Sequence, residues 1–372
     1  MTKLETDQIS PVQYMFSIAC FIQSSSLLSS FFLPVTQQDS WICVIVGLAL
    51  SIPLFLIYNG LMKAYPDKNI IQINEMVYGR TGGVIASLIM LWYFFSVATY
   101  NIRDIGALVK QTIMVDTPGI VIMVVCILVC AYGIYYGLRV ITRYAMVFSL
   151  LAIAILIVGT LLTINQWELD NFLPIFYQTP LHYIQGTNQV LTIPFGEIVV
   201  FLMISPQVKR GKKGILRYLL GGLVIGAVNV LIVVARDIAV LGNTITLFTL
   251  PSFETLRMVT LTQALSRMEI LFTVVLIMLL FFKIMLLYYI SVLALAQLLK
   301  MQSYKPLILI FGAFLTAYSF VIHTSTAQHA MFSREYAPIL WAFFEYVMPL
   351  MTLIAGRLRG LPQKSGLQRG LS

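Results

Sequence analysis

Two charged residues lie deep inside apolar segments, where they could bind a charged ligand. Glu197 follows Pro194 and Gly196 in TIPFGEIVV, and Lys283 lies in the middle of TVVLIMLLFFKIMLLYYI. At about 1.5 Å per residue, Glu197 lies roughly 14 Å and Lys283 roughly 22 Å below the outer ends of their helices. The lysine stem and helix tilt can cover that gap. We expect Lys283 to contact Glu197 when the site is empty, or a ligand carboxylate.

An ammonium group at this depth needs a partner, because ionisable residues inside a membrane are costly. Besides Glu197 and a ligand, Glu345 in the last apolar segment is a candidate partner for Lys283. The alternative is an ion pair with a purely structural role.

Five serines interrupt the first apolar segment, IQSSSLLSSFFLP at residues 22–34. Pro194 and Gly196 interrupt a second segment, because proline removes a helix donor and glycine tolerates irregular backbone. Irregular backbone at this depth is tolerated only where it faces protein or a water-filled cavity. The alternative is that the serines bond back to their own helix carbonyls and that Pro194 only kinks its helix. Together the interruptions predict a ligand site that contains Ser26, Ser29, Gly196 and Glu197.

Apolar runs of about 20 residues, long enough to cross a hydrocarbon core as helices, recur along the whole chain. The 372 residues are 59% hydrophobic and only 10% charged, whereas soluble proteins carry about 25% charged residues. The sequence therefore predicts an all-α polytopic membrane protein and excludes a soluble fold. We expect ten transmembrane helices, over residues 12–33, 41–62, 83–108, 119–138, 144–164, 188–205, 218–241, 268–296, 306–323 and 337–356.

The basic residues predict the orientation of these helices. Most of the 24 Lys and Arg residues lie in segments on the same side as the N-terminus, which the positive-inside rule places in the cytoplasm. Both termini are then cytoplasmic. The net charge of +9 needs no nucleic acid partner, since the richest basic run, QVKRGKKGILR, is a short loop between two helices.

Ten helices with both ends on one side divide into two sets of five, residues 12–164 and 188–356. Because five is odd, the second set must be inverted relative to the first. Inverted repeats whose first helices are broken are a recurrent transporter plan, with the solute bound at the breaks near the midplane. We therefore expect a single transmembrane domain, residues 1–372, in which helices one and six are broken.

Nothing in the sequence favours an enzyme, a cofactor or a metal. His182, His323 and His329 lie in loops or at helix ends, and the sequence contains no HExxH or GxSxG motif. The four cysteines lie in apolar runs and are interpreted as buried hydrophobic residues. The charged pairs 103–104 and 236–237 are interpreted as snorkelling or locally paired charges at the membrane interface.

Six motifs occur in an order and spacing typical of one family. They are Pro34 followed after four residues by DSW (39–41), AYPDKNIIQINEMVYGRTGG (64–83), IRDIGALVKQTIMVDTP (102–118), GLRVITR (137–143), FGE (195–197) and LSRMEILF (265–272). Over nearly its whole length the chain resembles the spore germination permeases. These are the B-type subunits of endospore germinant receptors, within the amino acid/polyamine/organocation transporter superfamily.

The resemblance implies a ten-helix, five-plus-five inverted fold in the inner membrane of the spore. It also implies a subunit that senses a small germinant, often an amino acid. Such a subunit works with an A-type subunit that has soluble domains and a C-type lipoprotein subunit.

The superfamily also implies where the ligand binds, because its first and sixth helices form the solute site with the third and eighth. At the corresponding positions of this chain, the resemblance implies that Tyr93, Val97, Phe195 and Phe282 bind the ligand together with Lys283.

The chain departs from the family in its first helix. Where members have a Gly-x-Gly pattern, this sequence has Leu27 and Ser29. Leucine is bulky where glycine would let a ligand touch the backbone. We therefore expect Leu27 to line a pocket for a different germinant, or a less unwound helix.

Two functions follow, and the sequence does not separate them, because both need the same pocket. One is a receptor subunit in which the ligand shifts a two-state equilibrium that partner subunits detect. The other is a secondary amino acid transporter that works by alternating access.

The basic run from Lys209 to Lys213 generates a first prediction. Replacing Lys209, Arg210, Lys212 and Lys213 with neutral residues should reduce correct membrane insertion, because Lys and Arg in short loops set orientation. Protease accessibility in membrane vesicles would report the orientation. Correctly inserted molecules should still respond to ligand, and a lost response would instead give this loop a role in signalling.

Overall fold

Helices make up nearly all of this computed structural model, which describes residues 7–25, 29–209, 214–258 and 267–361. The α-helices of these residues are α1 (Pro11–Gln23), α2 (Ser29–Thr36), α3 (Ser40–Ala64), α4 (Ile70–Thr112), α5 (Gly119–Tyr135), α6 (Leu138–Thr163), α7 (Pro180–Val190), α8 (Ile215–Leu241), α9 (Pro251–Arg257), α10 (Met268–Leu298), α11 (Leu307–Val321), α12 (Thr326–Glu335), α13 (Ala337–Ala342) and α14 (Met348–Leu358).

Shorter helical segments join several of these helices. Two have π geometry, Leu191–Phe195 and Phe343–Val347. The 3₁₀ segments are Gln37–Asp39, Ile164–Gln166, Leu169–Phe172, Gly196–Met203, Ser205–Gln207 and Gly242–Leu247.

Seven helical stretches of the described residues are long and apolar enough to cross a membrane. The number is eight if α11 and α12, which are bent by 98° at a short break, form one span. Helix α5 is apolar but has only 17 residues. The protein is thus a nearly all-helical, multi-pass membrane protein, while the number of ten helices and their five-plus-five arrangement stay predictions.

The first predicted span contains the end of one helix and the start of another. Helix α1 begins with Pro11 and with a capping box between Ser10 and Gln13, which satisfies free backbone donors at the helix start. It ends at Gln23, and α2 begins at Ser29. Residues 26–28, which include two of the predicted site residues, lie outside the described part of the chain.

The predicted interruption near Pro194 is also present. Helix α7 ends at Val190, and the π segment that follows contains Ile193 with non-helical angles, φ −117° and ψ 104°. Proline at position 194 supplies no backbone N–H, so regular α-helical bonding cannot continue through it. A 3₁₀ segment then begins at Gly196 and carries Glu197.

Two helices begin earlier in the chain than the hydrophobic runs suggested. Helix α4 starts at Ile70 rather than near residue 83, because Asn69 and Gln72 form a capping box at its start. It then kinks at Gly79, whose φ of 78° suits glycine. The helical stretch of the sixth predicted span starts at Pro180 rather than at 188.

The charges at residues 236 and 237 are buried and paired with each other. Arg236 donates from Nε and Nη2 to Asp237 Oδ1 at 3.0 and 2.8 Å, and neither residue is exposed. Asp237 also accepts a hydrogen bond from Ser252 in α9. The two charges are locally paired as expected, but they do not snorkel, because both side chains are buried in the protein.

The charges at residues 103 and 104 bond to the segments that follow α10. Arg103 donates to the carbonyl oxygen of Ser319 at 3.0 Å. Asp104 lies 2.7 Å from the Nε2 atom of His329. These contacts tie α4 to α11 and α12.

Helix α1 packs in the centre of the molecule, against α8, α6 and α10. The contact with α8 depends on glycine, because a Cβ atom at Gly226 would lie 2.5 Å from the Cβ of Ile22. The parallel bridge between Ile9 and Val208 adds a backbone tie just before α1. Helix α1 is therefore held on one side by close backbone approach.

Gly226→Leu should separate α1 from α8 and destabilise the protein by about 1–3 kcal/mol, the usual cost of overpacking. Gly119→Leu is the matched control, because nothing lies within 4 Å of a Cβ at Gly119. The melting temperatures of both variants in detergent would measure the difference. If the two variants melt alike, the close packing of α1 on α8 does not limit stability.

Candidate ligand-binding site

Lys283 forms a buried ion pair with Glu197. The Nζ atom lies 2.6 Å from Glu197 Oε2, and the two side chains are 0% and 1% exposed. Glu197 is placed by the 3₁₀ segment that follows the Pro194 break, and Lys283 by the long helix α10. Of the two carboxylates considered as partners for the lysine, Glu197 forms the ion pair.

The same ammonium group reaches the serine cluster of the first helix. Lys283 Nζ donates to Ser25 Oγ at 2.8 Å and lies 4.7 Å from the centre of the Phe21 ring. The ring contact is a cation–π interaction, which is strengthened by the absence of water. A single side chain from α10 therefore contacts both helix interruptions.

The two serines of the cluster whose side chains are described, Ser24 and Ser25, bond differently: one to its own helix and one to the lysine. Ser24 Oγ donates to the carbonyl oxygen of Phe21, which is the back-bonding alternative. Ser25 accepts from Lys283. Ser26 and Leu27 lie outside the described residues, and for Ser29 the structure describes the backbone at the start of α2 but not the side chain.

A second buried carboxylate, Glu345, lies beside this pair. The Tyr93 hydroxyl of α4 donates to Glu345 Oε1 at 2.7 Å, and the Tyr93 ring stacks on Phe344 with centroids 5.1 Å apart. The π geometry of 343–347 is the local irregularity in which Glu345 lies, a feature often found at functional sites. Glu345 is 0% exposed.

The absence of a side chain at Gly196 leaves the space that the Glu345 carboxylate occupies. A Cβ atom at position 196 would collide with Glu345 Oε2, so the carboxylate lies where any other side chain would begin. The Tyr58 hydroxyl of α3 holds both segments, because it lies 3.1 Å from the Gly196 carbonyl oxygen and 2.9 Å from that of Glu345. Glycine is needed here for close approach rather than for an unusual backbone angle.

The other expected site residues are buried and apolar. Val97, Phe195 and Phe282 are at most 1% exposed and belong to the hydrophobic core. They can exclude water around the ion pair, which strengthens every electrostatic interaction inside.

Sequence reasoning did not include Ser25 and Tyr58 in the site, and it considered Glu345 only as a partner for the lysine. Ser25 had a signal, since it belongs to the serine cluster. Tyr58 had none, because tyrosines are frequent in membrane helices and only the fold brings this one to Gly196.

The arrangement can bind charged groups but has no metal-binding cluster. Among the described residues, no group of three or more His, Cys, Asp or Glu side chains could hold a metal ion. What the structure brings together is one ammonium, two carboxylates and several hydroxyl groups. Groups of these kinds form charge-assisted hydrogen bonds.

The sequence matches the profile of the family described as spore germination protein over residues 8–328. The chain belongs to the spore germination protein family. It is 26% identical over 360 residues to spore germination protein KB of Bacillus subtilis (strain 168), covering 94% of this chain and 95% of that protein. It is 23% identical over 316 residues to spore germination protein YndE of the same organism, covering 82% and 85%.

Solved structures show the fold that this family member shares with transporters. Mhp1, a nucleobase-cation-symport-1 family transporter in a closed conformation with bromovinylhydantoin bound, superposes with a TM-score of 0.71 at 12% identity. The match covers 95% of this chain and 79% of Mhp1. MhsT in complex with L-phenylalanine has a TM-score of 0.66 at 10% identity, covering 94% and 99%. The family is thus that of spore germination proteins, and the fold is one that occurs in transporters.

The ion pair generates a stability prediction. Glu197→Gln alone should destabilise the protein by about 3–5 kcal/mol, because it leaves the lysine buried without its counter-charge. Lys283→Met in the Glu197→Gln background should recover part of that loss. Melting temperatures of the purified single and double variants complete a double-mutant cycle. A strictly additive cycle would show that the two side chains do not depend on each other.

Proposed function

We propose that this protein is the membrane subunit of a spore germinant receptor, and that it triggers germination when an amino acid binds at the two helix interruptions. The observation that carries the proposal is the contact of Lys283 with Glu197 and Ser25, one on each interrupted segment. A ligand carboxylate that competes for this ammonium would loosen both contacts at once.

Differential binding of this kind is what shifts a two-state equilibrium. With the ligand absent, the lysine holds the two interruptions together through a short ion pair and a hydrogen bond. With the ligand bound, its carboxylate takes over one of these roles, and the segments carrying Ser25 and Glu197 are free to separate. Partner subunits would detect that movement.

The proposed architecture is the ten-helix, five-plus-five inverted repeat with broken helices one and six, in a single domain. The ligand site comprises Ser26, Leu27, Ser29, Tyr93, Val97, Phe195, Gly196, Glu197, Phe282 and Lys283. The likeness to Mhp1 and MhsT supports this architecture through the fold alone.

We place the protein in the spore inner membrane with both termini in the cytoplasm, working with an A-type and a C-type subunit. The positive-inside distribution supports the orientation, and the family supports the location. Genes for an A-type and a C-type subunit beside this one would support the partners.

The alternative is a secondary amino acid transporter. Its support is the transporter fold, since alternating access moves one half of such a fold against the other around a midplane site. Counterflow of labelled amino acids into proteoliposomes separates the two functions. Robust counterflow by this chain alone favours transport.

Lys283→Met should abolish the germination response of spores to a carboxylate germinant, because the methionine offers no charge to the ligand. Lys110→Met is the matched control, since Lys110 is an exposed lysine at the end of α4. The response is measured as the loss of optical density over a range of germinant concentrations, at equal protein abundance. An unchanged half-maximal concentration in Lys283→Met would make this lysine purely structural.

A further inference from the structure

Only one of the two oxygens of the Glu345 carboxylate has a hydrogen-bond partner among the described residues. Its Oε1 atom accepts from Tyr93, whereas its Oε2 atom is buried and has no hydrogen-bond partner among the described residues. A buried acceptor without a donor is costly, and a buried carboxylate oxygen is more costly than a neutral one. A donor from outside the described residues would satisfy this oxygen.

The groups that face Glu345 do not balance its charge. The phenols of Tyr58 on α3, Tyr93 on α4 and Tyr346 on its own segment carry no charge at neutral pH, as is usual for tyrosine.

The charged groups nearby are Glu197 and Lys283, and these already form an ion pair with each other. The cluster thus contains two carboxylates and one ammonium. With all three ionised it would keep one uncompensated negative charge in the membrane interior, which is strongly unfavourable. The empty cluster is neutral when one carboxylate, Glu345, holds a proton.

We propose that Glu345 Oε2 is the binding group for the ammonium of the ligand, while Lys283 binds its carboxylate. The inference rests on the proposed function and assigns a binding group to each charged end of its amino acid ligand. When such a ligand enters, its carboxylate displaces Glu197 from Lys283. The proton of Glu345 passes to Glu197, and the ionised Glu345 pairs with the ligand ammonium. The cluster is neutral before and after binding.

The backbone supports a small ligand of this kind. The Glu345 carboxylate lies over Gly196, and Glu197, the partner of Lys283, is the next residue. The two subsites are thus built on consecutive residues, whose Cα atoms are about 3.8 Å apart. An α-amino acid, which carries both groups on one carbon, is small enough to place one group at each of these neighbouring residues.

Because the cluster stays neutral, the number of protons taken up or released on binding depends on the charge of the ligand. An amino acid brings no net charge, so it binds without exchanging protons with the solution. The corresponding amine, which lacks the carboxylate, brings one positive charge and should release one proton. The corresponding des-amino acid brings one negative charge and should take up one proton.

The experiment uses the purified full-length chain in lipid nanodiscs. The twenty standard amino acids are first screened by thermal stabilisation. Each that stabilises the protein is then compared with its amine and its des-amino acid by calorimetry in two buffers of different ionisation enthalpy. We expect the des-amino acid to bind at least about tenfold more weakly than the amino acid, because a charge-assisted hydrogen bond is lost.

Glu345→Gln keeps the shape of the side chain but cannot ionise. This variant should lose most of the preference for the amino acid over its des-amino acid, and its amine should release no proton. Glu335→Gln is the matched control, because Glu335 is a partly exposed glutamate that pairs with Arg334 on α12. The control should keep both the preference and the proton count of the wild type.

The outcomes separate the inference from the function on which it rests. If the wild type binds amino acids and their des-amino acids equally, or if Glu345→Gln keeps the preference, the ammonium subsite is wrong and the receptor proposal stands. If no amino acid stabilises the wild type, the proposed amino acid germinant is wrong, and the inference falls with it. Should Glu345→Gln fail to fold, the ammonium subsite is tested by the wild type alone, through its affinities for the three ligands and the protons that each takes up or releases.

Discussion

A lysine ammonium that never meets water has to be neutralised by the protein around it, and the centre of this structure is arranged around that requirement. Lys283 has no exposed surface. Its hydrogen bonds go to Glu197 and Ser25, on two segments that are far apart in sequence. Because an unpaired charge would be so costly, the ion pair holds both segments in one place. The same cost means that any group able to replace a partner can release them.

The irregular backbone around Lys283 also helps to place the groups that surround its ammonium. Pro194 stops regular helical bonding just before Glu197, and Gly196 leaves room for the carboxylate of Glu345. Tyr58 then bonds to the carbonyl oxygens of both segments. Freed backbone groups are acceptable in a membrane only where protein or water satisfies them. Here the Tyr58 hydroxyl satisfies two of them, which ties the segment of Gly196 to that of Glu345.

A receptor and a transporter would use such a site differently. A transporter has to release its solute on the far side, whereas a receptor needs only a difference in stability between two states that its partners can detect. The fold shared with Mhp1 and MhsT does not by itself distinguish these two functions. The difference therefore lies in how far the segments move after the ligand has entered, and in what contacts them from outside.

The sequence by itself determined the class of protein and the positions of the two interruptions. Apolar runs with few charges require membrane helices, and proline, glycine and clustered serines disturb helical bonding wherever they lie. It also identified Glu197 and Lys283, because a charge in an apolar run stands out without any knowledge of the fold. It placed two helix starts too late, since the cap at Asn69 and the first residue of α7, Pro180, lie in polar stretches that look like loops. Only the tertiary structure decided which charges meet. The choice of Glu197 over Glu345 as the partner of Lys283, and the contacts of Ser25 and Tyr58, depend on how helices distant in sequence pack side by side. That packing is set by shape complementarity between whole helix faces, which no local pattern of residues encodes.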